Sequence, residues 1–284
     1  MATRMEEPFE KLLSGKTFQA LSDLVYRHSR IRLGPDKQAL VANRLRKRLR
    51  ALGLGSYEEY CHVLHSPCGA DEVEELVDLI STNHTRFYRE PEHFAFLAER
   101  ALPALVEPLG ATRTPLRLWS AGSSSGEEPY TMAIVVAEFL RNHPALEWEI
   151  TATDISHRML AAAREGIYSM GSLEPVPLEL LKRYFQRGVG VRTGVCRVKR
   201  ELRRHLRFER VNLFQEHIPV SANQHVIFCR NVMIYFDPPS RVLAVQRLAR
   251  HLAPGGYLVV GHSESLMGIP HGLQPVQQGV FQKT

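Results

Sequence analysis

From residue 116 onward the sequence repeats one pattern: a short apolar run, a turn bearing glycine or a polar side chain, then a stretch with helical spacing. The runs at Leu116–Ala121, 149–153, 207–211, 225–229, 257–261 and 280–282 read as strands, and 129–141, 156–165 and 239–252 read as helices between them. Strands alternating with helices predict an α/β fold, a mostly parallel sheet with helices on both faces. Residues 186–206, QRGVGVRTGVCRVKRELRRHL, break the pattern with three glycines and alternating valine and arginine. They predict a small inserted β-hairpin-like element.

The first eighty residues carry no strand signal. Leu21, Leu24, Val25 and His28 recur at helical spacing, as do Val41, Leu45, Leu49 and Leu52, and Gly53 and Gly55 supply a stop. A short helix follows at Tyr57–Leu64, then a loop at 66–69. A further helix at 71–80 opens on acidic residues, which suit the positive end of a helix. An all-α N-terminal region therefore precedes the α/β region.

Composition narrows the class. The 284 residues, 44% hydrophobic and 23% charged, suit a globular protein with a substantial core. No apolar run is long enough to cross a bilayer. The opening residues MATRMEEPFEK lack the apolar stretch of a signal peptide. Cys61, Cys68, Cys196 and Cys229 form no C-x-x-C pair and are expected to be reduced thiols in a cytoplasmic protein. The thirteen histidines show neither H-E-x-x-H nor zinc spacing with cysteine, so no metal site is expected. A net charge of +6 favours acidic partners without choosing among them.

The strand ends carry the chemistry. In open α/β sheets, ligands bind beyond the carboxyl ends of the strands. Here these ends are Gly122-Ser-Ser-Ser-Gly126-Glu127-Glu128, then Asp154, then Asn212, then Arg230-Asn231. The first turn also fits G-x-S-x-G, which would make Ser124 a hydrolase nucleophile with Asp237 and His262 as partners. The hydrolase reading is weaker, because no earlier strand of the sheet exists to supply the second oxyanion donor. A carboxylate at Asp154 can hold a ribose diol, or can cap the helix that follows. Glu127 and Glu128 would repel a pyrophosphate, so the turn suits a cationic or zwitterionic ligand better than a dinucleotide.

These residues also resemble a known family. WSAGSSSGEEPYTMAI is similar to the glycine-rich motif of the chemoreceptor glutamate O-methyltransferases, the CheR family. ISTNHTRFYREPEHF, TATDISHRMLAAAREGIY, VNLF and IFCRNVMIYFD resemble four further family blocks in the same order, and the likeness runs from about residue 20 to the end. The family block commonly has cysteine or alanine where this chain has Ser123. The resemblance implies a helical, receptor-contacting domain at 1–82 and a cofactor-contacting linker at 83–115. It further implies a class I (Rossmann-like) S-adenosylmethionine-dependent methyltransferase domain at 116–284, with a β-subdomain at about 186–206. It implies cofactor contacts from Asn83, Thr85, Arg89, Gly122, Glu127 or Glu128, Asp154, Asn212, Leu213, Arg230 and Asn231. Arg89 would orient a carboxylate and Tyr235 would face the transferred methyl group. On sequence alone Arg89 is equally an ordinary salt-bridge residue, and Tyr235 an aromatic packing residue.

Methyl transfer from a sulfonium to a glutamate carboxylate needs no general base, since the carboxylate, with a pKa of about 4.3, is already ionised. Alignment of the reactants is what the protein must supply. The basic residues Arg44, Lys47, Arg48 and Arg50 (with Arg46) on one predicted helix would then steer the acidic methylation helices of chemoreceptors, or would simply solvate a helix face. A second basic cluster around the β-subdomain could hold a receptor C-terminal peptide. The resemblance implies a monomer, with no nucleic acid partner and no membrane insertion. A methyltransferase for another substrate such as RNA, or a receptor-binding or cofactor-sensing module without turnover, are the alternative readings.

Overall fold

The computed structural model describes residues 12–112 and 114–284 of the chain, so the opening stretch read above for a signal peptide lies outside the described residues. The chain divides into two compact units, one of residues up to Thr82 together with Tyr235–Asp237, the other of Asn83–Ile234 and Pro238–Thr284.

The first unit is built from α1 (Gly15–Ser29), α2 (Gln38–Leu52), α3 (Tyr57–Leu64) and α4 (Ala70–Ile80). Ser14 and Ser56 cap α1 and α3 by accepting from the N–H groups of Thr17 and Glu59, both at 3.1 Å. Gly53 closes α2 in the left-handed conformation, as its position in the sequence predicts. Val25, Val41, Leu45, Leu49, Tyr60 and Leu76 form a fully buried core. The apolar stripes at helical spacing thus bury one face of each helix, which is where most helical stability comes from. Tyr235–Asp237 joins this unit through the Arg32 N–H, which donates to the Tyr235 carbonyl at 3.0 Å, and a β-bridge between Ile31 and Phe236.

The second unit opens with α5 (Pro91–Phe96), which runs through a π-helical turn at Leu97–Ala101 into α6 (Leu102–Thr112). Most of the described part of 83–115 is therefore helical, and Phe87, Phe94, Phe96, Leu97 and Leu102 are buried in the core of the second unit. There follow β1 (Leu116–Ala121), α7 (Glu127–Leu140), β2 (Trp148–Asp154), α8 (His157–Glu165), β3 (Ile167–Ser169), α9 (Leu178–Tyr184), β4 (Phe185–Arg187), β5 (Val195–Val198), α10 (Arg200–Arg203), β6 (Leu206–Arg210), β7 (Gln224–Cys229), α11 (Pro238–His251), β8 (Leu252–Val260), β9 (Leu273–Gln277) and β10 (Val280–Lys283). Seven strands form the main sheet in the order β6-β2-β1-β7-β8-β10-β9. The first five are parallel, β10 runs antiparallel to β8, and β9 runs antiparallel to β10. Every residue of β7 is buried, as in a parallel strand covered on both faces.

Three features depart from the sequence reading. The small sheet has three strands, in the order β3-β5-β4, and begins at Ile167, well before residue 186. Its hairpin of β4 and β5 is the one the alternating valines predict, but 200–203 is helical and Leu206 already belongs to the main sheet. A three-residue strand such as β3 is too short to show alternation. Strand β9 was not expected either: it contains Pro275 and lies at the sheet edge, where proline is tolerated.

Candidate functional site

Strands β2 and β6 lie on one side of β1, and β7 and β8 on the other. The chain order reverses between β1 and β7, so the crevice beyond their carboxyl ends is the expected ligand site of such a sheet. The turn after β1 is built to let a ligand approach the backbone. Gly122 has φ +89° and Gly126 φ +101°. A Cβ on the first would collide with Val232, and one on the second would sit 2.7 Å from the Tyr168 hydroxyl. Between them Ser124 takes φ +49°, an uncommon conformation for a residue with a side chain.

Asp154, at the end of β2, holds that conformation. Its Oδ2 accepts from the Ser124 N–H at 2.8 Å and its Oδ1 from the Ser156 N–H at 2.9 Å. The cap of α8 is Ser156, which accepts from the Met159 N–H at 3.1 Å, so Asp154 does not serve as that cap. A carboxylate can accept about four hydrogen bonds, so bracing the turn and meeting a diol are compatible. The Ser124 hydroxyl donates to the Asn83 carbonyl at 3.0 Å. A serine tied to a backbone carbonyl has no base there to take its proton, which removes the hydrolase reading.

The end of β7 supplies Arg230. Its side chain is 1% exposed and lies between Glu90, 3.5 Å away, and Glu128, 3.7 Å away. It rests against the rings of Phe94 and Phe228, and its Nη2 donates to the Arg89 carbonyl. Its Nε and Nη1 make no hydrogen bond among the described residues. Glu128 also accepts from the Ser120 hydroxyl at 2.8 Å, while Glu127 accepts from Ser125 at 2.7 Å, so the two neighbours face different partners. A third carboxylate, Glu264, lies beyond β8. It accepts backbone N–H groups from Asn231, Met233 and Gly261, each at 2.7 Å, and so clamps the turn after β7, where Asn231 has φ +58°. Burial raises the pKa values of Glu128 and Glu264, against the charge of Arg230 for the first and the backbone N–H groups for the second. Burial opposes the charge of Glu90 as well, but the Asn231 amide and Arg230 prevail and hold its pKa below the usual range. Two partly buried carboxylates, Glu90 and Glu128, thus flank one buried guanidinium whose donors are incompletely used, and buried Glu264 holds the turn that follows it. Such a site asks for a ligand with positive charge for the carboxylates and an anionic group for the arginine.

Residues 83–281 match the CheR methyltransferase SAM binding domain and residues 16–81 match the CheR methyltransferase all-alpha domain. The chain belongs to the CheR methyltransferase family. It is 39% identical to chemotaxis protein methyltransferase 2 of Pseudomonas aeruginosa, over 93% of this chain and 91% of the relative. It is 38% identical to the chemotaxis protein methyltransferase of Salmonella typhimurium, over 90% and 86% of the two chains. With the Borreliella burgdorferi relative the identity is 39%, over 87% of each chain. The protein is an S-adenosylmethionine-dependent methyltransferase, and the site described above fits that cofactor. Its sulfonium and ammonium groups match the carboxylate excess, and its carboxylate matches the unused Arg230 donors.

The remaining CheR-family residues occupy varied settings. Asn83 lends its carbonyl to Ser124, and Thr85 is half-buried. Arg89 is half-buried, and its Nη1 donates to the His84 carbonyl at 2.8 Å. Asn212 folds its side chain onto the Phe214 N–H at 2.9 Å, shaping the turn after β6, and the carbonyl of buried Leu213 accepts from Arg247 at 2.8 Å. Tyr235 is half-buried and groups with the helical unit. Gly122, Asp154, Glu128, Arg230 and Asn231 all lie at the carboxyl ends of β1, β2 and β7. Glu90 and Glu264 were missed by the sequence reading. Glu264 follows the fifth parallel strand, so the strand-end rule extended to β8 reaches it, whereas Glu90 precedes a helix and carries no such signal.

In the helical unit, Arg44 and Arg48 have internal work. Arg44 Nη1 donates to the carbonyls of Ile80 and Ser81, at 2.5 and 3.0 Å, closing the C-terminus of α4. Arg48 makes a two-pronged contact with Glu72, at 2.9 and 2.5 Å, and the Tyr60 hydroxyl adds a bond to the same carboxylate at 2.6 Å. Lys47 and Arg50 are exposed on α2.

Proposed function

We propose that this chain transfers the methyl group of S-adenosylmethionine to glutamate side-chain carboxylates on the cytoplasmic methylation helices of chemoreceptors, leaving glutamate methyl esters. The observation that carries this reading is the match to both CheR domains along almost the whole chain, to relatives named as chemotaxis protein methyltransferases. The cofactor supplies a methyl group on a positively charged sulfur, which an ionised carboxylate can attack directly. The protein's part is to bind, orient and exclude water. Arg230 and Asn231 take the cofactor's amino-acid end together with Glu128 or Glu127. Asp154 takes the ribose, and Asn212 and Leu213 flank the adenine. Asn83, Thr85 and Arg89 contribute from the segment 83–115, with Arg89 orienting a carboxylate, and Tyr235 faces the methyl group. The helical domain at 1–82 contacts the receptor, and the domain at 116–284 carries the chemistry.

Lys47 and Arg50 are the steering residues on α2, and the two-sided demand on Arg44 and Arg48 makes their effect on receptor binding inseparable from their effect on the fold. The chain acts as a cytoplasmic monomer on the receptors' cytoplasmic parts; among the described residues no helix is long and apolar enough to cross a membrane. The test is incubation of the purified chain with methyl-labelled cofactor and a receptor cytoplasmic fragment. Label is expected on glutamate as a base-labile ester. Label absent from the fragment, or found instead on RNA in a mixed reaction, would overturn the reading.

A further inference from the structure

His93 is completely buried, yet neither ring nitrogen has a hydrogen-bond partner among the described residues. An unpartnered buried polar group is costly, so it calls for an explanation. The surroundings of the ring supply one. Its Nδ1 lies 3.4 Å from Glu90 Oε2, and its ring packs edge-on to that of His262 with centroids 4.6 Å apart. One ligand atom from each of Glu90, His93 and His262 can be chosen so that all lie within 4.8 Å of one another. His262 Nε2 is in turn 4.0 Å from Glu92 Oε2. Metal–ligand bonds of about 2.0–2.2 Å in a tetrahedron place neighbouring ligand atoms about 3.3–3.6 Å apart. The Glu90–His93 separation already meets that edge, and small side-chain rotations bring in the others.

We propose that Glu90, His93 and His262 form a binding site for a divalent transition-metal ion of the zinc class, with Glu92 or water as the fourth ligand. Two imidazoles and a carboxylate select such an ion over magnesium or calcium, which prefer an all-oxygen shell. Entry is from the outer side, where His262 is 37% exposed and Glu92 64% exposed. The ion would share Glu90 Oε2 with two groups already beside it, the His262 backbone N–H at 3.2 Å and Arg230 Nη2 at 3.5 Å. His93 Nε2 faces the backbone of Gly279, where a Cβ would sit 2.9 Å from it, leaving Nδ1 as the ligating nitrogen. The sequence pattern gives no hint of this site because its ligands come from 90–93 and from 262, which only folding brings together.

The test is calorimetric titration of the chelator-treated full chain with Zn2+, repeated with Co2+ as a spectroscopic probe. One equivalent of Zn2+ is expected per chain, with Co2+ giving the visible absorption of a four-coordinate site and no thiolate charge-transfer band. His262→Gln, at a partly exposed position, should weaken Zn2+ binding roughly 100-fold or more while leaving the melting temperature of the metal-free chain unchanged. Cys68→Ser should leave the affinity as it is. The proposal is overturned if the chain shows no saturable one-to-one binding, if His262→Gln binds as tightly as the parent, or if Cys68→Ser abolishes binding.

Discussion

The two units each set an arginine against a carboxylate, half-buried Arg48 in one and buried Arg230 in the other, and they treat it in opposite ways. In the helical unit Arg48, Glu72 and Tyr60 form a closed set, in which both oxygens of Glu72 are used and the guanidinium grips them with two bonds. In the sheet unit Arg230 is buried among Glu90, Glu128 and the nearby Glu264, and two of its nitrogens make no hydrogen bond among the described residues. A satisfied network fixes a fold. An unsatisfied one, at the point where a parallel sheet reverses its order, stores binding capacity for something the chain does not itself contain. The contrast shows that burial of charge marks a site only when the hydrogen-bond accounts fail to close.

The largest expected effect tests that contrast directly. Arg230→Leu leaves Glu90 and Glu128 without their cation and should destabilise the chain by about 3–5 kcal/mol in denaturant unfolding, with loss of S-adenosylhomocysteine binding. Arg48→Leu should cost about 1–3 kcal/mol, because Glu72 keeps the Tyr60 hydroxyl and the lost arginine is itself partly exposed, and should leave that affinity unchanged. Equal losses of stability and affinity in the two variants would dissolve the distinction.

Asp154→Ala comes next. It removes the brace of Ser124 along with the proposed ribose acceptor, and roughly 100-fold weaker S-adenosylhomocysteine binding is expected by calorimetry. Unchanged affinity would leave Asp154 as a purely structural residue.

Titration sharpens the comparison further. Burial opposes the charge on Glu72, but its bonds to Arg48 and Tyr60 outweigh that and lower its pKa. The stability it supplies is therefore complete above the unfolded value of about 4.3 and is lost as the pH falls through the lower folded value. Burial raises the pKa of Glu128, so its folded state binds the proton more tightly than the unfolded chain, and its contribution falls as the pH rises from about 4.3 through the folded value. Glu72→Gln should flatten the acid side of the stability profile, and Glu128→Gln should raise stability at neutral pH while weakening cofactor binding. Profiles of the same slope in both variants would contradict the assignment. The smallest effect belongs to Lys47→Ala, expected to shift stability by no more than about 0.5 kcal/mol while slowing receptor methylation more at low salt than at high salt.

Much of this was legible in the sequence, for reasons that are local. Apolar spacing in α1 and α2, the glycine stop at Gly53 and the alternation of strands with helices are properties of neighbouring residues. The placement of Gly122, Asp154 and Arg230 at the ends of β1, β2 and β7 was equally readable, since a strand delivers its last residue to a known edge. What could not be read were relations between distant segments. Arg44 and Arg48 read as a solvent-facing basic stripe until folding set the end of α4 and Glu72 against them, 24 or more positions away in the chain. Glu90 and Glu264 meet the same turn from opposite ends of their unit, and His93 meets His262 across a similar distance. Periodicity fixes which face of an element turns inward, because it is set by backbone geometry. Which buried charges find partners depends on packing between elements, and only the tertiary structure decides that.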